Sequence, residues 1–155
     1  MSPRSSGSRR QRCGPQEALT RCRQAAAYLD VARTVVSDTE RPEDYNYNHV
    51  AAGLAVLAAI AASDALCCRL LGERSRGQDH REAIELLSTV RFGDGDETER
   101  KRRASSMAQY LATALDLKDQ SHYGVSLLEL PQVRRLLRAA SHLVAAAESV
   151  VAPPR

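Results

Sequence analysis

Between Val50 and Cys68 the chain carries one charged residue, Asp64, in a stretch otherwise made of Ala, Leu, Val, Ile, Gly, Ser and Cys. A helix beginning near Tyr45–Asn48 and stopped by Gly72 after Leu71 is apolar nearly all the way round, the pattern of a central, buried helix. Other elements must therefore wrap around it. The longest uninterrupted apolar run, Val50–Ala62, ends at Ser63 and Asp64 and is too short to span a bilayer, so no membrane role is expected.

The partners of that helix are helices as well. Aromatic residues make up 4% of the chain, with one Phe and no Trp, so the core must be built from Ala, Leu and Val. Such a core suits closely packed helices better than a sheet. From Gln16 to Asp38, Leu19, Cys22, Ala26, Leu29, Ala32 and Val36 recur at three- and four-residue spacing. Pro15 suits the start of this helix, and Arg41-Pro42 follows as a break. Asp79 is suited to cap a third helix carrying Ala83, Ile84, Leu87 and Val90. The loop Phe92-Gly93-Asp94-Gly95-Asp96 precedes a fourth helix from about Thr98 to Asp119. Pro131 opens a fifth, whose stripe runs from Val133 through Leu136, Leu143 and Ala147 to Val151. The expected fold is all-α, an up-and-down antiparallel bundle of four to five helices spanning 16–151. No convincing strand alternation and no internal repeat are present.

Charge is unevenly placed. The net charge is +3, but Arg4, Arg9, Arg10 and Arg12 lie in a stretch free of acids, and without them the remainder is close to −1. Residues 1–15 therefore read as a disordered basic tail and 152–155 as a short C-terminal tail. A nearly neutral body excludes general coating of nucleic acid and leaves only local contact. Cys13, Cys22, Cys67 and Cys68 include no CxxC pair, and adjacent Cys67 and Cys68 point to different faces of a helix. Buried thiols in a reducing cytoplasm are expected, rather than a disulfide framework or a metal site.

Three segments carry potential chemistry. Asp64 shares a helix face with Val50, Leu54, Leu57, Ala61 and Cys68, where a carboxylate is costly unless paired. It reads either as a structural polar contact or as the group that orients a catalytic cation or imidazole. Arg74-Ser75-Arg76-Gly77-Gln78-Asp79-His80 gathers two guanidinium groups and an imidazole where a helix begins. The arginines suit a phosphate, and histidine is the residue type that exchanges protons near neutral pH. A solvated polar loop is the plainer alternative. Lys118 and Tyr123 lie at the end of the fourth helix and suit either the lining of a cleft or simple helix capping. Arg100-Lys101-Arg102-Arg103 reads as a solvated helix face, with contact to a phosphate backbone as the alternative. No ligand spacing suggests a metal, and no cofactor is expected.

The second helix ending in Ser63-Asp64-Ala65-Leu66-Cys67-Cys68, followed by an Arg, a short spacer and a His, resembles the HEPN domain family. Arg74 and His80 are separated by five residues, Arg76 and His80 by three. The Lys118–Tyr123 segment is similar to the later-helix end of that family. The resemblance covers roughly 16–151. It implies a HEPN-like bundle that forms a homodimer, with His80, Arg74 or Arg76, and Asp64 at a metal-independent endoribonuclease centre. Lys118 and Tyr123 would be substrate-binding. It further implies RNA as substrate, a toxin–antitoxin, defence or RNA-processing setting, and an antitoxin or nucleotidyltransferase partner. The alternative it leaves open is a non-catalytic helical module that binds a protein partner or a nucleotide.

Overall fold

Helix boundaries in this protein are set by residues that satisfy otherwise free backbone groups. The computed structural model describes residues 10–38, 45–76, 80–123 and 128–151, apart from the side chains of 37–38, 45–46 and 119–123. The order is β1 (Arg10–Arg12), α1 (Pro15–Asp38), α2 (Tyr45–Leu71), β2 (Glu73–Ser75), α3 (His80–Leu87), α4 (Glu97–Tyr123) and α5 (Leu130–Val151). The structure is mostly helical (82%), as an all-α chain requires.

Pro15 stands at the first position of α1, and the Glu17 carboxylate accepts from the Gly14 N–H at 2.9 Å. Hydrogen bonds from the backbone N–H groups of Glu17 and Gly14 hold the Glu17 carboxyl below the ordinary carboxylate range. Asp96 caps α4 by accepting from the Glu99 N–H at 2.9 Å, and Gln132 accepts from the Glu129 N–H at the start of α5. Gly72 takes a φ of +72°, the left-handed conformation that ends α2 and turns the chain back. Asp79, Gly77, Arg41-Pro42 and Gly124, expected as cap, turn and breaks, lie outside the described residues, as do 1–9 and 152–155.

α2 is the central element. It packs along α1, against α5 and across α4, with α3 and β2 near its C-terminal end. Ala51, Ala52, Ala55, Ala58, Ala59, Ala61, Ala62 and Ala65 are fully buried on it. Their small side chains let neighbouring helices approach closely, and Leu66, Leu87, Leu111, Leu136 and Leu143 fill the larger spaces. Val90 is buried as expected, but it lies beyond the end of α3 rather than on it.

Three expectations need correction. First, Arg10–Arg12, read as part of a disordered basic tail, form a strand. β1 pairs antiparallel with β2, setting Gln11 opposite Arg74, so a small sheet exists where no strand was expected. Three-residue strands are too short to show alternation, and this pair forms because Gly72 folds β2 back beside Cys13. The Cys13 N–H donates to the Gly72 carbonyl at 3.0 Å. Second, Cys13 and Cys68 form a disulfide, while Cys22 and Cys67 are buried free thiols. The partners are 55 residues apart, so spacing within the sequence carried no signal of the pairing. Third, the Asp64 face of α2 is not buried along its length. Val50 and Leu57 are 51% and 45% exposed, whereas Ala61, Asp64 and Cys68 are buried. By length and composition Tyr47–Leu71 is also sufficient to cross a membrane, despite Ser63 and Asp64, but 72% of its most apolar window is buried inside the bundle.

Candidate functional site

The sole charge on the apolar part of α2 meets two arginines. The Asp64 side chain is 11% exposed. Its Oδ2 accepts from Arg21 Nη2 at 2.8 Å, from Arg21 Nε at 3.2 Å and from Arg74 Nη1 at 3.3 Å. Arg21 comes from α1, whose antiparallel course beside α2 brings its first turns alongside the last turns of α2. Arg74 comes from β2, which Gly72 directs back across the end of α2. Further contacts hold both guanidinium groups, since Arg74 Nη2 donates to Gln11 Oε1 at 3.2 Å and Arg21 Nη1 to Gln24 Oε1 at 2.8 Å. The β1–β2 ladder thus sets Arg74 over Asp64.

Burial pushes the Asp64 carboxyl above its ordinary value, and the Arg21 and Arg74 charges and hydrogen bonds offset that rise only in part. The arrangement is charge-assisted and oriented, but it strains against desolvation. The same carboxylate, after burial itself, raises the neighbouring Cys67 thiol to about 12. Cys67 is therefore a thiol rather than a thiolate at neutral pH, and it is unsuited to nucleophilic work.

These groups form the wall of a cavity of about 230 Å³, which Arg76, His80 and Lys118 also line. Four basic side chains, Arg21, Arg74, Arg76 and Lys118, face one carboxylate, so the cavity favours an anion. Ser75 is in the same wall, and its Oγ is shielded from solvent without a hydrogen-bond partner. Ile60, Leu111 and Leu115 supply an apolar side that lowers the local dielectric and strengthens charged contacts.

Of the residues singled out in the sequence, Asp64, Arg74, Arg76, His80 and Lys118 meet at this one cavity. Asp64 and Arg74 are directly bonded. His80, the first residue of α3, reaches the cavity without hydrogen-bonding to Asp64 or to either arginine of the pair. The choice between the arginines becomes one of role: Arg74 is anchored, whereas Arg76 is exposed and makes no ion pair among the described residues. Tyr123 ends α4, and its side chain lies outside the described residues. Among the described residues, no three His, Cys, Asp or Glu side chains gather to hold a metal ion.

Arg21 was missed in the sequence. It lies next to Cys22 on the helix stripe, looks like any solvated arginine, and meets its partner across 43 residues. The cost of burying Asp64 demanded a cation, but only the packing of α1 on α2 selects which one. Set against protein-family models, curated proteins and solved structures, the chain matches none.

Proposed function

We propose that this protein is a HEPN-type, metal-independent RNA endonuclease that acts as a homodimer. The observation that carries the reading is the junction of an Asp64-anchored Arg74 with His80 in one cationic, half-apolar cavity. An RNA phosphodiester is an anion of suitable charge for Arg74, Arg76 and Lys118. His80 takes the proton of the 2′-hydroxyl as its oxygen attacks the adjacent phosphorus. The O2′–P bond forms, the P–O5′ bond breaks, and a proton returns to the departing 5′-oxygen. The products are a 2′,3′-cyclic phosphate and a 5′-hydroxyl. Arg74 bears on the charge that develops at phosphorus, Asp64 and Arg21 hold it there, and Lys118 and Tyr123 are the residues assigned to substrate binding.

Support for a second copy comes from α2. Tyr47, Val50 and Leu57 are exposed on the helix that carries Asp64. Val50 and Leu57 share its face, so a partner covering them would adjoin the cavity and bring two of these centres into one cleft. An antitoxin or nucleotidyltransferase is the partner class that this setting implies.

The intact Arg21–Asp64–Arg74 network favours a second reading, because it braces β1, β2, α1 and α2 without any catalysis. A non-catalytic module would use the same cationic wall for a nucleotide phosphate or a protein partner. The two readings separate when labelled RNA is incubated with the protein in EDTA. The nuclease releases cyclic-phosphate ends, and His80→Ala lowers the rate by about 100-fold or more. Arg74→Ala causes a comparable loss, and Arg76→Ala a smaller one. Absence of cleavage by a well-folded dimer overturns the nuclease reading and leaves the binding module.

A further inference from the structure

A second basic feature lies on the other side of α4. Leu111, Leu115 and Lys118 turn toward the cavity described above. At 100° per residue, Arg102, Ser106, Tyr110 and Thr113 fall on roughly the opposite side of the helix. There α5 contributes Arg135, Arg138 and His142, which share one face at three- and four-residue spacing. Tyr110 and His142 stack with centroids 4.4 Å apart and planes 4° from parallel. The stack stands in the wall of a hollow of about 340 Å³ that Arg135 and Arg138 also line. Tyr110 continues into an adjoining hollow of about 470 Å³ with Arg102 and Arg103. Together these make a groove along α4 with four arginines and one carboxylate, Glu99.

The arginines differ in availability. Arg103 donates to the carbonyls of Phe92 and Asp94 and is committed to the loop before α4. Arg102, Arg135 and Arg138 are exposed, as is His142 on the outer side of the stack. Gln109 and Thr113 add amide and hydroxyl groups to the same hollow. Planar rings beside unburied guanidinium groups, with small polar groups between them, form the combination that takes a base on the ring and phosphates on the arginines. An acidic peptide would use the arginines but has no use for the stacked rings.

We propose that the α4–α5 groove is a binding site for single-stranded RNA, separate from the cavity at Asp64, with Arg135 and Arg138 on the backbone and the Tyr110–His142 stack under a base. The proposal rests on the reading of RNA as ligand given above, but not on its cleavage. The test uses the full chain carrying His80→Ala, so that bound RNA stays intact, and fluorescence anisotropy with a labelled oligouridylate in EDTA. Replacing Arg135 and Arg138 together by Ala weakens binding about 10-fold or more. It also reduces the slope of log affinity against log salt by about 1.4, for two phosphates released from a single strand. His142→Ala and Tyr110→Leu each weaken binding about 10-fold, whereas Tyr110→Phe binds as the parent does. Unchanged affinity in the double arginine variant overturns the site. Loss with the arginines but not with the ring variants, or equal displacement by polyglutamate, overturns it in favour of a surface for any polyanion. All three sites of substitution outside Tyr110 are exposed, so those variants keep the parent's thermal midpoint. Cleavage of a dinucleotide by the protein with intact His80 is unaffected by the Arg135 and Arg138 changes. Its complete absence would sink the nuclease while leaving the groove standing.

Discussion

Asp64 shows how one residue carries two opposing demands. Desolvation raises its carboxyl, while Arg21 and Arg74 reward its charge. With the folded value above the ordinary 3.8, the folded chain binds the proton more tightly than the unfolded chain. The resulting stability is complete below the unfolded value and is lost as pH rises through the window up to the folded value. Asp64→Asn cannot titrate and lacks this component. Denaturant unfolding across the acid range is therefore expected to show the wild type losing stability relative to Asp64→Asn as pH rises from 3.8 upward. A flat difference, or one of opposite slope, would contradict the account. The two arginines share one oxygen, so their effects are coupled. A double-mutant cycle of Arg21→Ala and Arg74→Ala is expected to show a non-additive energy of about 0.5–2 kcal/mol in unfolding measurements.

At the scale of elements, the Cys13–Cys68 bond does what the strands alone cannot. A two-stranded ladder of three residues each is marginal in water, and β1 is exposed throughout. The disulfide ties its end to the buried last turns of α2 and closes a separation of 55 residues. The chain-entropy argument assigns such a loop about 4 kcal/mol, with 2–4 the usual observation. Cys13→Ser is thus expected to lower the unfolding free energy by about 2–4 kcal/mol, seen as a shift in the denaturant midpoint. Because Gln11 bonds Arg74 across the ladder, the same variant is expected to weaken binding of inorganic phosphate at the Asp64 cavity. Arg10 reinforces the strand pair through Glu73 at 3.0 Å and reaches Glu82 of α3 at 3.4 Å. These surface pairs add little energy next to the covalent link.

For the whole molecule, the half-exposed apolar residues of α2 are the surface on which the proposed dimer can be tested. Tyr47, Val50 and Leu57 keep 50%, 51% and 45% of their surface, while Ala51, Ala52, Ala55, Val56 and Ala58 on the same helix are buried. A homodimer that buries this face would dissociate when a charge is placed in it. Leu57→Asp is expected to shift the protein from dimer to monomer in sedimentation velocity and to change the monomer's unfolding free energy by less than about 1 kcal/mol. A wild-type protein that sediments as a monomer would remove the dimer and the shared cleft with it.

The helices were largely legible in the sequence because helical periodicity, proline, glycine and capping residues are local properties. Pro15, the stripe of α1, Gly72 and the apolar girth of α2 each act within a turn or two of chain. The need for a cation near Asp64 was legible for the same reason, since burying a carboxylate has a cost wherever it occurs. What only the tertiary structure decided are the pairings across distance: Arg21 with Asp64, Gln11 with Arg74, Cys13 with Cys68, and Tyr110 with His142. Each depends on the register between elements, which is set by how alanine-rich surfaces pack, and no residue announces that register from its own neighbourhood.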